Sequence, residues 1–130
     1  MRVIRTDAAP APVAGAPYSQ AVASRPDEIV WVSGQVPIDP VTGLLVADEA
    51  DVQTRVALQN VRAVLEGAGA TLADVVKSTV FLVDMADFPV MNAAYRDVFG
   101  DHAPARSTIG VAALPLGARV EIEVVAVRES

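Results

Sequence analysis

The run VVKSTVFLVDMADFPVMNAAYRDVFG, residues 75–100, changes period once, and that change sets the fold class. Val75, Val76, Val80, Phe81, Leu82 and Val83 form an almost continuous apolar stretch, the pattern of a strand covered on both faces. From Asp87 the spacing is helical: Phe88, Met91 or Asn92, Tyr95, Val98 and Phe99 share one stripe. Asp87 is placed to cap this helix, Pro89 falls in the first turn where a missing N–H costs nothing, and Gly100 ends it. Upstream, Val56, Asn60 and Val64 with Ala57, Val61, Leu65 and Ala68 recur at three and four, predicting an earlier amphipathic helix. Asp51 is its expected cap, and Gly69 its left-handed C-terminal residue.

Strands flank these helices. Residues 3–6 read as a weak first strand, 18–24 as a second and 28–35 as a third. Arg25-Pro26-Asp27 has the chemistry of a tight turn and predicts a hairpin between the second and third. Residues 106–112 and 119–128 supply two final strands. The order β-β-β-α-β-α-β-β predicts one α+β domain over residues 1–130, a six-stranded mixed sheet with both helices packed on one face. No third layer remains to cover the other face, so another subunit is expected there.

Composition removes several function classes. The 130 residues contain no cysteine, which excludes disulfide scaffolds and cysteine-ligated metal sites. A net charge of −6 argues against nucleic-acid binding. No apolar run reaches the roughly 18 residues that span a bilayer, so no membrane partner is expected. The N-terminal stretch is broken by Asp7 and prolines and does not read as a targeting segment, so the cytoplasm is the expected compartment. The one histidine, His102, reads as a solvated loop residue, and no metal or cofactor is expected.

Chemistry concentrates in three places. In the last strand, Val120, Ile122, Val124 and Ala126 line one face and Glu121, Glu123, Val125 and Val127 the other. Either the glutamates are solvated ladder residues, or at least one faces a partly desolvated cleft suited to acid–base work. Arg106 follows the stiff Pro104-Ala105 at a strand entry, as a carboxylate clamp or as an ordinary surface ion pair. Pro17-Tyr18-Ser19-Gln20 and Val32-Ser33-Gly34-Gln35 put hydroxyls and amides at strand edges, where Gly34 permits close backbone approach. Asn92 and Tyr95 share a helix face, and core packing is the expected role of Tyr95.

Taken together, Ala-Pro-Tyr-Ser-Gln-Ala (16–21), Val-Ser-Gly-Gln-Val-Pro (32–37), Val-Lys-Ser-Thr-Val-Phe-Leu (76–82), Pro-Ala-Arg-Ser (104–107), Leu114-Pro115 and Val-Glu-Ile-Glu (120–123) resemble the Rid/YjgF family of imine deaminases. The resemblance runs in order from Pro17 to Val127. It implies a chorismate-mutase-like fold, a homotrimer with sites between subunits, and cofactor-free hydrolysis of 2-imino acids to 2-keto acids and ammonia. It also implies that Arg106 binds the substrate carboxylate, that Glu121 activates water, and that Tyr18, Ser33, Gly34, Asn92 and Thr108 line the pocket. Thr108 stands where the best-known members carry cysteine, Ala16 where they carry glycine, and the segment from Gly100 to Ala103 is shorter than theirs. The alternative is a non-enzymatic module that binds small carboxylic acids in the same intersubunit cleft.

Overall fold

A computed structural model describes residues 1–129. The β-branched segments become strands β1 (Arg2–Ile4), β2 (Ala21–Ala23), β3 (Glu28–Gln35), β4 (Val75–Leu82), β5 (Ala105–Gly110) and β6 (Val120–Arg128). The segments of helical period become α1 (Ala50–Gly67) and α2 (Phe88–Phe99). Four strands form one sheet in the order β3-β6-β4-β5, with β4 and β5 parallel across the α2 crossover and the other pairs antiparallel. The six expected strands and the mixed sheet are present, but β1 and β2 pair with each other as a separate ladder. A single bridge, Ser19 to Ala105, ties that ladder to β5.

The expected hairpin between the second and third strands does not form. Beyond Pro26, the Asp27 N–H already donates to the Arg128 carbonyl, so β3 enters the β6 ladder at its first residue. The segment Arg25-Pro26-Asp27 instead links two strands that take different partners, β2 on β1 and β3 on β6.

Both helices pack on one face. Ala57, Leu58, Val61 and Leu65 of α1 with Met91, Tyr95 and Phe99 of α2 bury the inward side chains of β3, β4 and β6. The α1 stripe is rotated from the expected one: Val64 is exposed, while Gln53 and Thr54 are buried. Asn60 instead reaches sideways, donating to the carbonyls of Val36 and Ile38 at 3.2 and 2.9 Å and anchoring the loop after β3. The N-cap position of α1 belongs to Glu49, not Asp51, which lies in the first turn. At α2 the cap position is Asp87 as expected, but the capping hydrogen bond comes one turn earlier, from the Ala86 N–H to Asp84. Gly69 and Gly100 both adopt positive φ, at 75° and 63°, where a side chain would be strained.

The opposite face of the sheet is open. Trp31 is 74% exposed there, and Ile29 and Ile109 are each 45% exposed. In one chain, therefore, β4 is covered on one face only, short of the two its apolar run suggested.

Candidate active site

Arg106 is the second residue of β5 and lies in register with Ser78 of β4, so both point to the helix side of the sheet. At 7% exposure the guanidinium is buried, and the ordinary surface ion pair is set aside. Its Cζ lies 4.9 Å from the ring centroid of Tyr95, 5.4 Å from that of Tyr18 and 5.8 Å from that of Phe88. Such stacking is favourable for a desolvated cation. Among the described residues its one polar contact is weak, Nη1 to the Met91 sulfur at 4.0 Å, and Nε and Nη2 have no partner. Burial lowers the Arg106 pKa from its ordinary value, and no carboxylate pairs with it among the described residues.

The walls come from three elements. Tyr18 is held by its hydroxyl, which accepts from the Val13 N–H at 2.9 Å. The preceding loop is stapled by Gln20, which donates to the carbonyls of Thr6, Ala9 and Pro10 and accepts from the Thr6 N–H. Arg96 of α2 reaches the Gly15 carbonyl of the same loop at 3.2 Å. Ser19 fixes the start of β5, its N–H on the Pro104 carbonyl and its hydroxyl on that of Ala103. Together with Met85, Phe88, Ser107 and Thr108, Val13 and Tyr18 line an open pocket of about 550 Å³ above Arg106.

Tyr95 meets the expectation of core packing with a satisfied hydroxyl, bonded to the Ser78 hydroxyl at 2.7 Å. Burial pushes its pKa up to about 12, against the Ser78 hydrogen bond that lowers it. Asn92 lies on the same buried face of α2. Buried side-chain polar atoms without partners are few among the described residues: Arg106 Nε and Nη2, Asn92 Oδ1, Thr108 Oγ1 and Asp87 Oδ2. Orphaned groups of this kind call for an explanation, and a polar ligand supplies one.

Glu121 is elsewhere. It lies in register with Phe81 of β4, on the open face, half-buried. A β-bulge between Val32 and Gln35 places Ser33 and Gly34 beside it, and the fit is tight: a Cβ on Gly34 would stand 1.9 Å from Glu121 Oε2. The structure thus divides the expected residues into two groups. Arg106, Tyr18 and Thr108 share the pocket at the β5 edge, while Ser33, Gly34 and Glu121 share the open face. Within one chain Arg106 and Glu121 lie on opposite sides of the sheet.

Phe88, Met85 and Val13 were not expected as lining residues. Phe88 reads as ordinary core from its helical spacing, and the loop residues carry no periodic signal. Ser78 had one: a hydroxyl in phase with Val80 and Leu82 on a buried strand face. His102 is not a solvated loop residue, since its Nε2 is 2.7 Å from the Val75 carbonyl and its ring tilts against Phe99. Among the described residues no cluster of three or more His, Cys, Asp or Glu could hold a metal ion. Among the described residues no helix is long and apolar enough to cross a membrane.

Comparison with known proteins adds names to this geometry. A family model described as Endoribonuclease L-PSP matches residues 8–128. A RutC family protein from Pyrococcus horikoshii is 45% identical over 127 residues, covering 98% of both chains. The 2-iminobutanoate/2-iminopropanoate deaminase of Salmonella typhimurium is 44% identical over 130 residues, again covering 98% of each. Among solved structures, E. coli TdcF with bound serine superposes with a TM-score of 0.75 at 39% identity, covering 99% of this chain and 100% of that one.

Proposed function

The chain belongs to the Rid/YjgF family, and from that premise we propose that it hydrolyses reactive 2-imino acids to 2-keto acids and ammonia. The state of Arg106 carries the proposal. It is a buried cation stacked on aromatic rings, with free donors and no carboxylate partner among the described residues. Leaving a buried charge unpaired is costly, and a small carboxylic acid entering the cavity would complete it through the planar guanidinium fork. The deaminase relative and the serine bound to TdcF support an amino-acid-like ligand. The endoribonuclease description gains no support from a chain of net charge −6.

Glu121 is the second half of the reading. Because it faces away from Arg106 in one chain, the reaction requires a second copy whose Glu121 face closes over the Arg106 pocket, as in a homotrimer with shared sites. The uncovered apolar face around Trp31 supports such an assembly. In the complete site Arg106 holds the carboxylate, with Tyr18, Ser33, Gly34, Asn92 and Thr108 around the substrate. Water attacks the imine carbon while Glu121 takes one of its protons and returns it to the nitrogen, giving a carbinolamine. Glu121 then carries the carbinolamine hydroxyl proton to the amine as the C–N bond breaks, so the carbonyl closes and ammonia leaves. An imine carbon is already electrophilic, so placement and one proton shuttle suffice.

The test couples a threonine dehydratase to this protein and follows keto-acid formation above the spontaneous rate. Arg106→Ala should lose both turnover and 2-oxobutanoate binding, and Glu121→Ala should keep binding and lose turnover. Unchanged deamination in Arg106→Ala would overturn the assignment. Ligand binding without any turnover in the unmodified protein would favour the non-enzymatic module.

A further inference from the structure

A buried arginine is usually aimed by hydrogen bonds, yet here the guanidinium has only a weak contact to the Met91 sulfur. Its direction therefore comes from the rings stacked on it. Of the three, Tyr18 sits on a loop and Phe88 at the first residue of α2, whereas Tyr95 is nearest, central in its helix and fully buried. The Tyr95 ring is itself fixed twice, by stacking on Phe99 at 4.5 Å and by the 2.7 Å bond between its hydroxyl and that of Ser78. Ser78 is in turn the register neighbour of Arg106. The chain of contacts closes on itself: β4 to hydroxyl, hydroxyl to ring, ring to guanidinium, guanidinium to β5, and β5 back to β4.

We infer that Ser78 and Tyr95 are a positioning pair that fixes the Arg106 guanidinium for carboxylate capture. The inference rests on the reading of Arg106 as the substrate clamp. Support from aromatic rings suits that task better than hydrogen bonds would, because it occupies none of the guanidinium donors. Nε and Nη2, which have no partner, form one free edge, and a carboxylate is matched by that geometry. Tyr95 attracts the cation through its ring quadrupole as a neutral phenol, so it does not compete with the incoming anion.

The test uses Ser78→Ala, Tyr95→Phe, the double variant and Ser78→Thr in the full chain. Affinity for 2-oxobutanoate and the kcat and KM for 2-iminobutanoate are measured beside thermal unfolding. Each single variant should weaken keto-acid binding and raise KM by about three- to tenfold, the range of a partly lost cation–π contact, with kcat within about twofold. The double variant should be no worse than the weaker single, since both remove one bond, and Ser78→Thr should restore affinity. The double leaves no orphaned hydroxyl, so it decides the matter if a single variant proves unstable. Lower melting temperatures with unmoved affinity and KM would overturn the pair's role alone. A wild-type protein that neither binds the keto acid nor deaminates would overturn the deaminase reading and the pair's role with it.

Discussion

Replacing Gly34 by alanine should separate catalysis from folding. The new Cβ would meet Glu121 at three atoms, 1.9 Å from Oε2, 2.8 Å from Cδ and 3.2 Å from Cγ. Ordinary contact begins near 3.4 Å, so the carboxylate must retreat by about 1.5 Å. Because Cγ is also crowded, a twist of the carboxylate alone cannot relieve the contact, and the side chain must change rotamer. The cost to folding is small. Gly34 does not adopt positive φ, the residue is exposed, and alanine in a strand is favoured over glycine by roughly 0.5–1 kcal/mol. The cost to chemistry is large, because a misplacement of about 1 Å removes on the order of a hundredfold in rate. Gly34→Ala should therefore lower kcat by about 100-fold while the melting temperature and the affinity for 2-oxobutanoate stay near wild type. Steady-state deamination, calorimetric binding of the keto acid and thermal unfolding provide the three readings. A kcat within threefold of wild type would refute the idea that the Glu121 position, and the glycine that makes room for it, matter to the reaction.

Three further outcomes are expected. Arg106→Met should abolish activity yet leave the fold as stable or more stable by about 1–3 kcal/mol in urea unfolding, because it removes a buried unpaired charge and keeps the packing; a marked loss of stability would contradict the picture of an uncompensated cation. The Tyr95 contribution to stability should be constant below about pH 10 and fall between there and about pH 12, since the folded state holds the Tyr95 proton more tightly than the unfolded chain does. The raised pKa corresponds to about 2–3 kcal/mol lost across that window, and Tyr95→Phe should flatten this part of the profile. Trp31→Glu, at a position 74% exposed in the single chain, should leave the far-UV circular dichroism unchanged while reducing the mass seen by light scattering and the turnover together; an unaltered mass and rate would show that the open face is not the subunit contact.

Much of the local structure was legible because it depends on short-range rules. The period change around Asp87 located β4 and α2, and the bounds of β3 match the segment from Glu28 to Gln35 rich in β-branched and aromatic residues. Gly69 and Gly100 could be placed as helix ends because their positive φ strains other residues. Errors arose where a local preference was overridden. Asp51 is the better capping residue, yet α1 begins at Ala50 and Glu49 holds the cap position without a side-chain hydrogen bond. Turn chemistry at Arg25-Pro26-Asp27 suggested a hairpin, but strand partners are chosen over long distances, and β6 took β3. Arg106 stood out only as an arginine in stiff backbone, and a surface ion pair fitted the same residues until its burial was known.

The alternation of side chains along β6 already put Glu121 on the face away from Val120 and Ile122, since a strand's two-residue period needs no knowledge of its neighbours. By the same local logic the open sheet face was foreseeable, as a chain with two helices can cover only one side. Tertiary structure alone decided that Arg106 shares the helix-side face with Ser78, beneath Tyr95, while Glu121 lies across the sheet from it. The parallel register of β5 on β4 makes that choice, and shifting it by one residue would turn the guanidinium to the opposite face.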